Sequence, residues 1–297
     1  MTELVDRELL ISRKLLMRKR IIEKRGTIPE ALRAEKSSVV CAKLSALFGM
    51  TQRSPLPLAS KKNRMTPNPT VSGIDSCSKQ EGASSAECCR NAAIYGGIPS
   101  ERSASPRKKT VIDVTAHIIC AHNAAAPAPM PILAAGDSRK PVIAVYAALD
   151  EEANLDEFIE TCFACGTRVA FPCMNIKKHT DSLAHRLPMY MRIVDADSWH
   201  AHRAPFVEKP LARFGESDEA LAAFPVAAPQ DIDAIVVPLV AFDKACRRLG
   251  YGGGNYDSYL ERLSSSCAIV GVGFREQLVD AVPTEPHDIP LPAIVFA

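Results

Sequence analysis

Strand-length runs without polar alternation constrain this chain most: VIAVYAA (142–148), DAIVVPLV (233–240), CAIVGVGF (267–274) and the closing PAIVFA. A half-exposed strand alternates apolar and polar residues, whereas a run apolar throughout needs cover on both faces. Helical patterns lie between them. NLDEFIETCFACG reads as a helix stopped by Gly166, and RVAFPC as the next strand, so a βαβ unit results. PMYMRIV (188–194) reads as a further strand and YDSYLERL as a helix. The pattern predicts an α/β layered fold, with a mostly parallel central sheet flanked by helices.

Two helices precede the sheet. LLISRKLLMRKRIIEKR repeats Leu9, Leu10, Leu15, Leu16, Ile21 and Ile22 among basic residues, which reads as an amphipathic helix. A second helix runs from Pro29 to about Phe48, since proline suits a first helical turn and Glu30 suits the positive end of the dipole. Residues 51–110 then carry ten serines and one aromatic, Tyr95, too little apolar surface to offset the entropy of ordering. The role of residues 111–138, with the proline-rich AAAPAPMPILAAG, stays open. The expected organisation is N-terminal helices over 1–48, a disordered low-complexity insertion over 49–138, and an α/β body over 139–297.

Several function classes are set aside. Prolines cut the best candidate membrane span, and the acidic start MTELVDRELL lacks a secretory signal, so a cytoplasmic setting is expected; the basic helix keeps a mitochondrial one open. Ten cysteines in a chain of 297 residues read as reduced thiols rather than a disulfide framework. Cys162 and Cys165, with Cys173 and His179, could be imagined as a zinc site, but no second CxxC supports it, and packing on one helix face is preferred. Residues 1–50 hold 11 Lys+Arg against 6 Asp+Glu, and residues 51–110 hold 10 against 4, on an acidic remainder. These basic parts lack interleaved aromatics, so no nucleic-acid partner is expected.

RRLGYGGGNYD (247–257) puts four glycines into five positions, after the 233–240 strand and before the helix near Tyr256. Ligands of α/β proteins bind at the carboxyl ends of strands, and bare backbone N–H groups there can cradle phosphate. The loop is neither a Walker loop nor a dinucleotide fingerprint. On spacing alone, a phosphate cradle and a long flexible turn both stay open.

PLVAFDKACRRLGYGGGNYDSYL resembles the nucleotide-binding signature of the 5-formyltetrahydrofolate cyclo-ligase (methenyltetrahydrofolate synthetase) family. Three further blocks resemble the same family in its order: KLLMR (Lys14 to Arg18), LDEEANLDEFI, and GVGFREQLVDAVPTEPHDIPLPAIV. The resemblance covers about residues 9–48 and 139–297.

This resemblance implies a ligase of folate one-carbon metabolism, converting 5-formyltetrahydrofolate, polyglutamylated or not, into 5,10-methenyltetrahydrofolate. ATP is the co-substrate, Mg2+ the metal, ADP and phosphate the other products, and a monomer the expected state. By motif, Lys14, Arg18, Arg248, Gly250, Gly252, Gly253, Gly254 and Tyr256 would bind ATP. Glu152 would bind the folate, and Asp257 and Asp288 the metal. Bland readings compete: Lys14 and Arg18 as a solvated helix face, Asp257 as a helix cap, Glu152 as a surface turn residue, Asp288 as an Asx-turn. The chain departs from the family at Asn255, where a second tyrosine is usual, after Arg213-Phe214-Gly215, and in the insertion. A non-catalytic nucleotide- or RNA-binding module on the same scaffold is the alternative function. A sugar-phosphate or CoA-transfer enzyme would explain the loop but not Lys14 and Arg18.

Overall fold

The structure, a computed structural model, describes residues 2–50, 115–120, 139–176, 188–215, 217–285, 288 and 290–297. In chain order these form α1 (Thr2–Gly26), α2 (Glu30–Leu47), β1 (His117–Cys120), β2 (Val142–Ala144), α3 (Asp156–Ala164), β3 (Arg168–Ile176), β4 (Met189–Val194), α4 (Ala196–His200) and α5 (Pro205–Glu208). There follow β5 (Arg213–Gly215), β6 (Val226–Ala227), β7 (Ala234–Pro238), β8 (Ala241–Phe242), β9 (Arg248–Leu249), α6 (Asn255–Leu260), β10 (Ala268–Gly273) and β11 (Ala293–Phe296).

Local chemistry sets the helix ends. Pro29 (φ −56°) enters α2, its carbonyl accepting from Arg33 N at 2.9 Å. Gly166 ends α3 at φ +75°, a left-handed conformation costly for a residue with a Cβ, and Thr167 N reaches back to Cys162 O at 3.0 Å. Asp195 caps α4 by accepting from Ser198 N at 2.8 Å.

Nine strands form one sheet in the order β1-β11-β10-β7-β2-β3-β4-β6, with β5 also paired to β3. Among the described strands of this sheet, five pairings are parallel (β10–β11, β10–β7, β7–β2, β2–β3, β3–β5) and three, all involving β1, β4 or β6, are antiparallel. Neighbouring residues on each strand serve opposite faces. Ile143, Val145, Val236 and Val270 face one layer with Val40, Leu44 and Phe48 of the α2 end and Phe158 and Ile159 of α3. Val142, Ala144, Ile235 and Val237 face the other, with Tyr259 of α6. This two-sided cover explains why β7 is apolar throughout: a fully buried aliphatic side chain contributes about 1.5–3 kcal/mol, so a polar residue on either face would lose that and need a partner.

Three expectations change. The strand expected over 142–148 ends at Ala144, though Val145 N still bonds Ala170 O at 2.9 Å. Within the expected insertion, His117–Cys120 forms β1, antiparallel to β11, so part of 49–138 belongs to the sheet; the expected disorder of 51–110 falls on residues outside those described. The buried face of α1 is not its leucines. Leu9, Ile11, Leu15 and Leu16 are exposed, Leu16 by 70%, while Lys14, Ile21 and Arg25 are buried and Arg18 half-buried. These four recur at helical spacing: Lys14 and Arg18 face a polar cavity, Ile21 packs with Val240, Ala241 and Leu249, and Arg25 is buried beyond the cavity lining.

The zinc reading of Cys162 finds no support. Its thiol is buried, lies 4.0 Å from Met50 Sδ and is pushed up by burial, as suits a packed cysteine. Among the described residues no three metal-ligating side chains cluster; His179 lies outside them. No described helix is long and apolar enough to cross a membrane.

Candidate functional site

The strand order creates the site. From β2 the chain passes to β3 on one side, while β7, β10 and β11 extend the sheet on the other, so β2 and β7 flank a topological switch point. Segments leaving their carboxyl ends diverge to opposite faces and leave a crevice between them. A cavity of about 890 Å3 occupies that place. Its walls come from the turn after β2 (Tyr146, Leu149, Glu152), the glycine loop after β9, and α1 (Lys14, Arg18).

Between β7 and the loop, the β8–β9 hairpin is organised by Asp243, which is fully buried. One carboxylate oxygen accepts from Ala245 N (2.9 Å) and Arg247 N (3.1 Å), the other from Arg247 Nε (2.8 Å) and Val282 N (2.9 Å). Charge-assisted bonds of this kind fix the turn that delivers Arg248 and the glycines to the cavity. Gly252 (φ +101°) and Gly254 (φ +64°) lie in the left-handed region, and a Cβ on Gly252 would stand 3.2 Å from Arg18 Cζ. The loop therefore needs glycine at 252 both for its backbone and for the approach of the α1 guanidinium. Arg18 Nε in turn donates to Gly250 O at 2.8 Å.

Every site residue expected from sequence (Lys14, Arg18, Glu152, Arg248, Gly250, Gly252, Gly253, Gly254, Tyr256, Asp257 and Asp288) lines this cavity. Some are paired differently from the motif reading. Lys14 Nζ donates to Glu285 and Asp288, each at 2.7 Å. Burial pulls its ammonium down, but the two carboxylates outweigh this and hold it above its ordinary value. Phosphate contact and metal coordination were expected of Lys14 and Asp288 separately; here the two are joined. Arg248 is paired to Asp257, and its Nε has no partner among the described residues. The Tyr256 hydroxyl is likewise buried and unpartnered among them. Such orphaned donors in a cavity wall are what a bound polar ligand would satisfy.

Glu152 is 7% exposed rather than a surface turn residue. Its Oε2 accepts from Leu149 N at 3.0 Å and its Oε1 from the Tyr251 hydroxyl at 2.9 Å. Burial raises its pKa, opposed by the Leu149 amide, the Arg25 cation and the Tyr251 hydroxyl. Asp288 Oδ2 also accepts from Glu285 N at 2.8 Å, a local turn consistent with the bland reading but directed at the cavity. Asn255, at the position usually held by tyrosine, directs its amide to Met174 Sδ at 3.8 Å, a weak partner.

Three participants escaped the sequence reading: Glu285, Tyr251 and Arg25. Arg25 continues the Lys14, Arg18, Ile21 spacing, so following the cations instead of the leucines along α1 would have found it. Tyr251 sits inside the glycine run, whose spacing signals backbone freedom and carries no sign of a side-chain role.

The model of the 5-formyltetrahydrofolate cyclo-ligase family matches residues 136–297. The chain is 32% identical to the 5-formyltetrahydrofolate cyclo-ligase of Escherichia coli (strain K12) over 154 residues, 52% of this chain and 76% of that protein. It is 26% identical over 182 residues to the protein of the same name from Saccharomyces cerevisiae, covering 55% of this chain and 78% of that one. A solved 5,10-methenyltetrahydrofolate synthetase from Mycoplasma pneumoniae aligns at 17% identity with a TM-score of 0.46, over 95% of this chain and 96% of that chain. With more than half its residues under the family model, and the four sequence blocks meeting at one cavity, the chain belongs to the 5-formyltetrahydrofolate cyclo-ligase family.

Proposed function

We propose that the protein closes 5-formyltetrahydrofolate to 5,10-methenyltetrahydrofolate at the expense of ATP. The observation that carries this reading is the shared cavity: the glycine loop (Gly250 to Gly254), the cations Lys14, Arg18 and Arg248, and the buried carboxylate of Glu152 all line it. A volume of about 890 Å3 suits two substrates meeting in one place.

The formyl oxygen of an amide is a poor leaving group. Transfer of the γ-phosphoryl group to that oxygen, with ADP leaving, converts it to a good one. The side-arm nitrogen then attacks the activated carbon, the carbon–oxygen bond breaks, phosphate departs, and the nitrogen loses its proton. The residues contribute position and charge, which phosphoryl transfer requires above all. Arg18 and Arg248, with the loop amides, receive phosphate oxygens through charge-assisted bonds. Lys14, held by Glu285 and Asp288, stands where a phosphate could replace one carboxylate as its partner. Glu152 accepts hydrogen bonds from the donor edge of the pterin.

Mg2+ fits this donor set in one particular way. Asp257 and Asp288 supply hard oxygens on one cavity, the donor type of a magnesium held by one or two carboxylates together with substrate phosphates. When bound, the ion would neutralise phosphate charge. The substrate's glutamate tail length, a monomeric state and a cytoplasmic setting stay part of this proposal as expectations. The test is direct: purified protein with 5-formyltetrahydrofolate and Mg-ATP should accumulate the absorbance of the methenyl product, and no excess over an ATP-free control removes the proposal.

A further inference from the structure

The hold on Glu152 does not come from the folate half alone. Its Oε1 accepts from the Tyr251 hydroxyl at 2.9 Å, and that hydroxyl accepts from Arg25 Nη2 at 2.5 Å. Tyr251 belongs to the glycine loop, between Gly250, whose carbonyl takes Arg18 Nε, and Gly252, which lies against the Arg18 guanidinium. Arg25 is 1% exposed at the end of α1 and is not among the cavity-lining residues. A fully buried guanidinium behind a cavity wall is costly unless its charge is used, and its nearest carboxylate, Glu151 Oε2, is 3.7 Å away and half-exposed.

We infer that Tyr251 and Arg25 are positioning residues for the substrate-binding carboxylate: Arg25 Nη2 fixes the Tyr251 hydroxyl, and that hydroxyl fixes Glu152 Oε1, so the acid is held in one orientation toward the folate. This rests on the activity proposed above. It goes beyond it by giving the glycine loop a second task, served by the one residue in the run with a side chain.

The electrostatics around Glu152 agree. Arg25 from α1 and Tyr251 from the loop face it, as do Glu151 of the same turn, Tyr146 in the segment after β2 and Tyr256 of α6. Burial favours the protonated acid; of these groups Arg25 and the Tyr251 hydroxyl oppose it, and Glu151 reinforces it. Burial pushes the Tyr251 phenol up to about 12, so it keeps its proton and donates. A protonated Glu152 would lose one acceptor oxygen, so folate binding should fail as pH falls through its pKa. Removing the donors raises that pKa further and moves the acid limb to higher pH.

The experiment compares wild type, Tyr251→Phe, Arg25→Gln and Arg25→Lys by steady-state kinetics across pH, varying each substrate separately. Tyr251→Phe should raise KM for 5-formyltetrahydrofolate about tenfold, the scale of one donor lost from a charged acceptor, leave KM for ATP unchanged, and shift the acid limb of kcat/KM for the folate upward. Arg25→Gln should shift the limb the same way, and Arg25→Lys should return it toward wild type; these two carry the test if Tyr251→Phe does not fold. An unchanged limb and folate KM in folded variants overturns the inference alone, as does an equal rise in both KM values, which would mark a merely structural loop contact. A wild type that forms no methenyl product overturns the activity and this inference with it.

Discussion

Gly252→Ala separates a phosphate cradle from a flexible turn. Gly252 sits at φ +101°, and an added Cβ would lie 3.2 Å from Arg18 Cζ and 3.4 Å from its Nη2. The first effect is backbone strain, about 1–3 kcal/mol for a residue with a Cβ held in a sparsely populated region. The second displaces the end of a flexible side chain; the contact itself costs little, but it disturbs the arginine expected to meet phosphate. Because Gly252 is exposed, the loop can relax outward and recover much of the strain in the free protein. The penalty then reappears when ATP requires the original loop, predicting a rise in KM for ATP of about 5- to 100-fold at roughly 1.4 kcal/mol per decade. Gly166→Ala is the control: φ is +75°, nothing lies within 4 Å of the new Cβ, and the residue is at the end of α3, outside the cavity lining. It should lower thermal stability through the same strain while leaving KM for ATP unchanged. Nucleotide-dependent initial rates and a thermal melt on both variants provide the readout. A Gly252→Ala protein with wild-type KM for ATP would refute the cradle, and a matching KM rise in Gly166→Ala would show that strain anywhere perturbs the site.

Lys14→Met should raise KM for ATP while keeping the fold, since Glu285 and Asp288 lie at the cavity and can take up water when the ammonium is lost; unchanged ATP kinetics would make Lys14 a structural clamp for Glu285 and Asp288 only. Asp257→Asn and Asp288→Asn should each cut kcat at saturating ATP and raise the Mg2+ concentration for half-maximal rate, measured by magnesium titration, because a neutral amide is a weaker ligand for a hard cation. Gly271→Ala tests the core: its Cβ would stand 2.6 Å from Leu291 Cδ1 and 3.1 Å from Ile294 Cγ1, so overpacking should cost about 1–3 kcal/mol in denaturant unfolding with substrate KM values preserved.

Much of this protein was determined locally, by residues that act within a few positions of themselves. Uninterrupted apolar runs force burial on both faces wherever they occur, so β2, β7, β10 and β11 and the helices between them were legible as a parallel α/β sheet. The same holds for the place of the glycine loop, since its neighbours in sequence fix which strand end it follows. Tertiary structure decided what depends on partners hundreds of positions away. His117–Cys120, four residues inside a segment whose role its composition leaves open, became a strand because β11 offered an unpaired edge. The α1 helix turned cations inward against its own leucine pattern because the wall it meets carries Gly250 O, Tyr251, Glu285 and Asp288. Lys14 pairs with Asp288 across 274 positions, and Arg25 with Tyr251 across 226. Periodicity reports only how a segment divides apolar from polar; which polar face is buried is set by the charge of the surface it meets, and that surface exists only once the chain has folded.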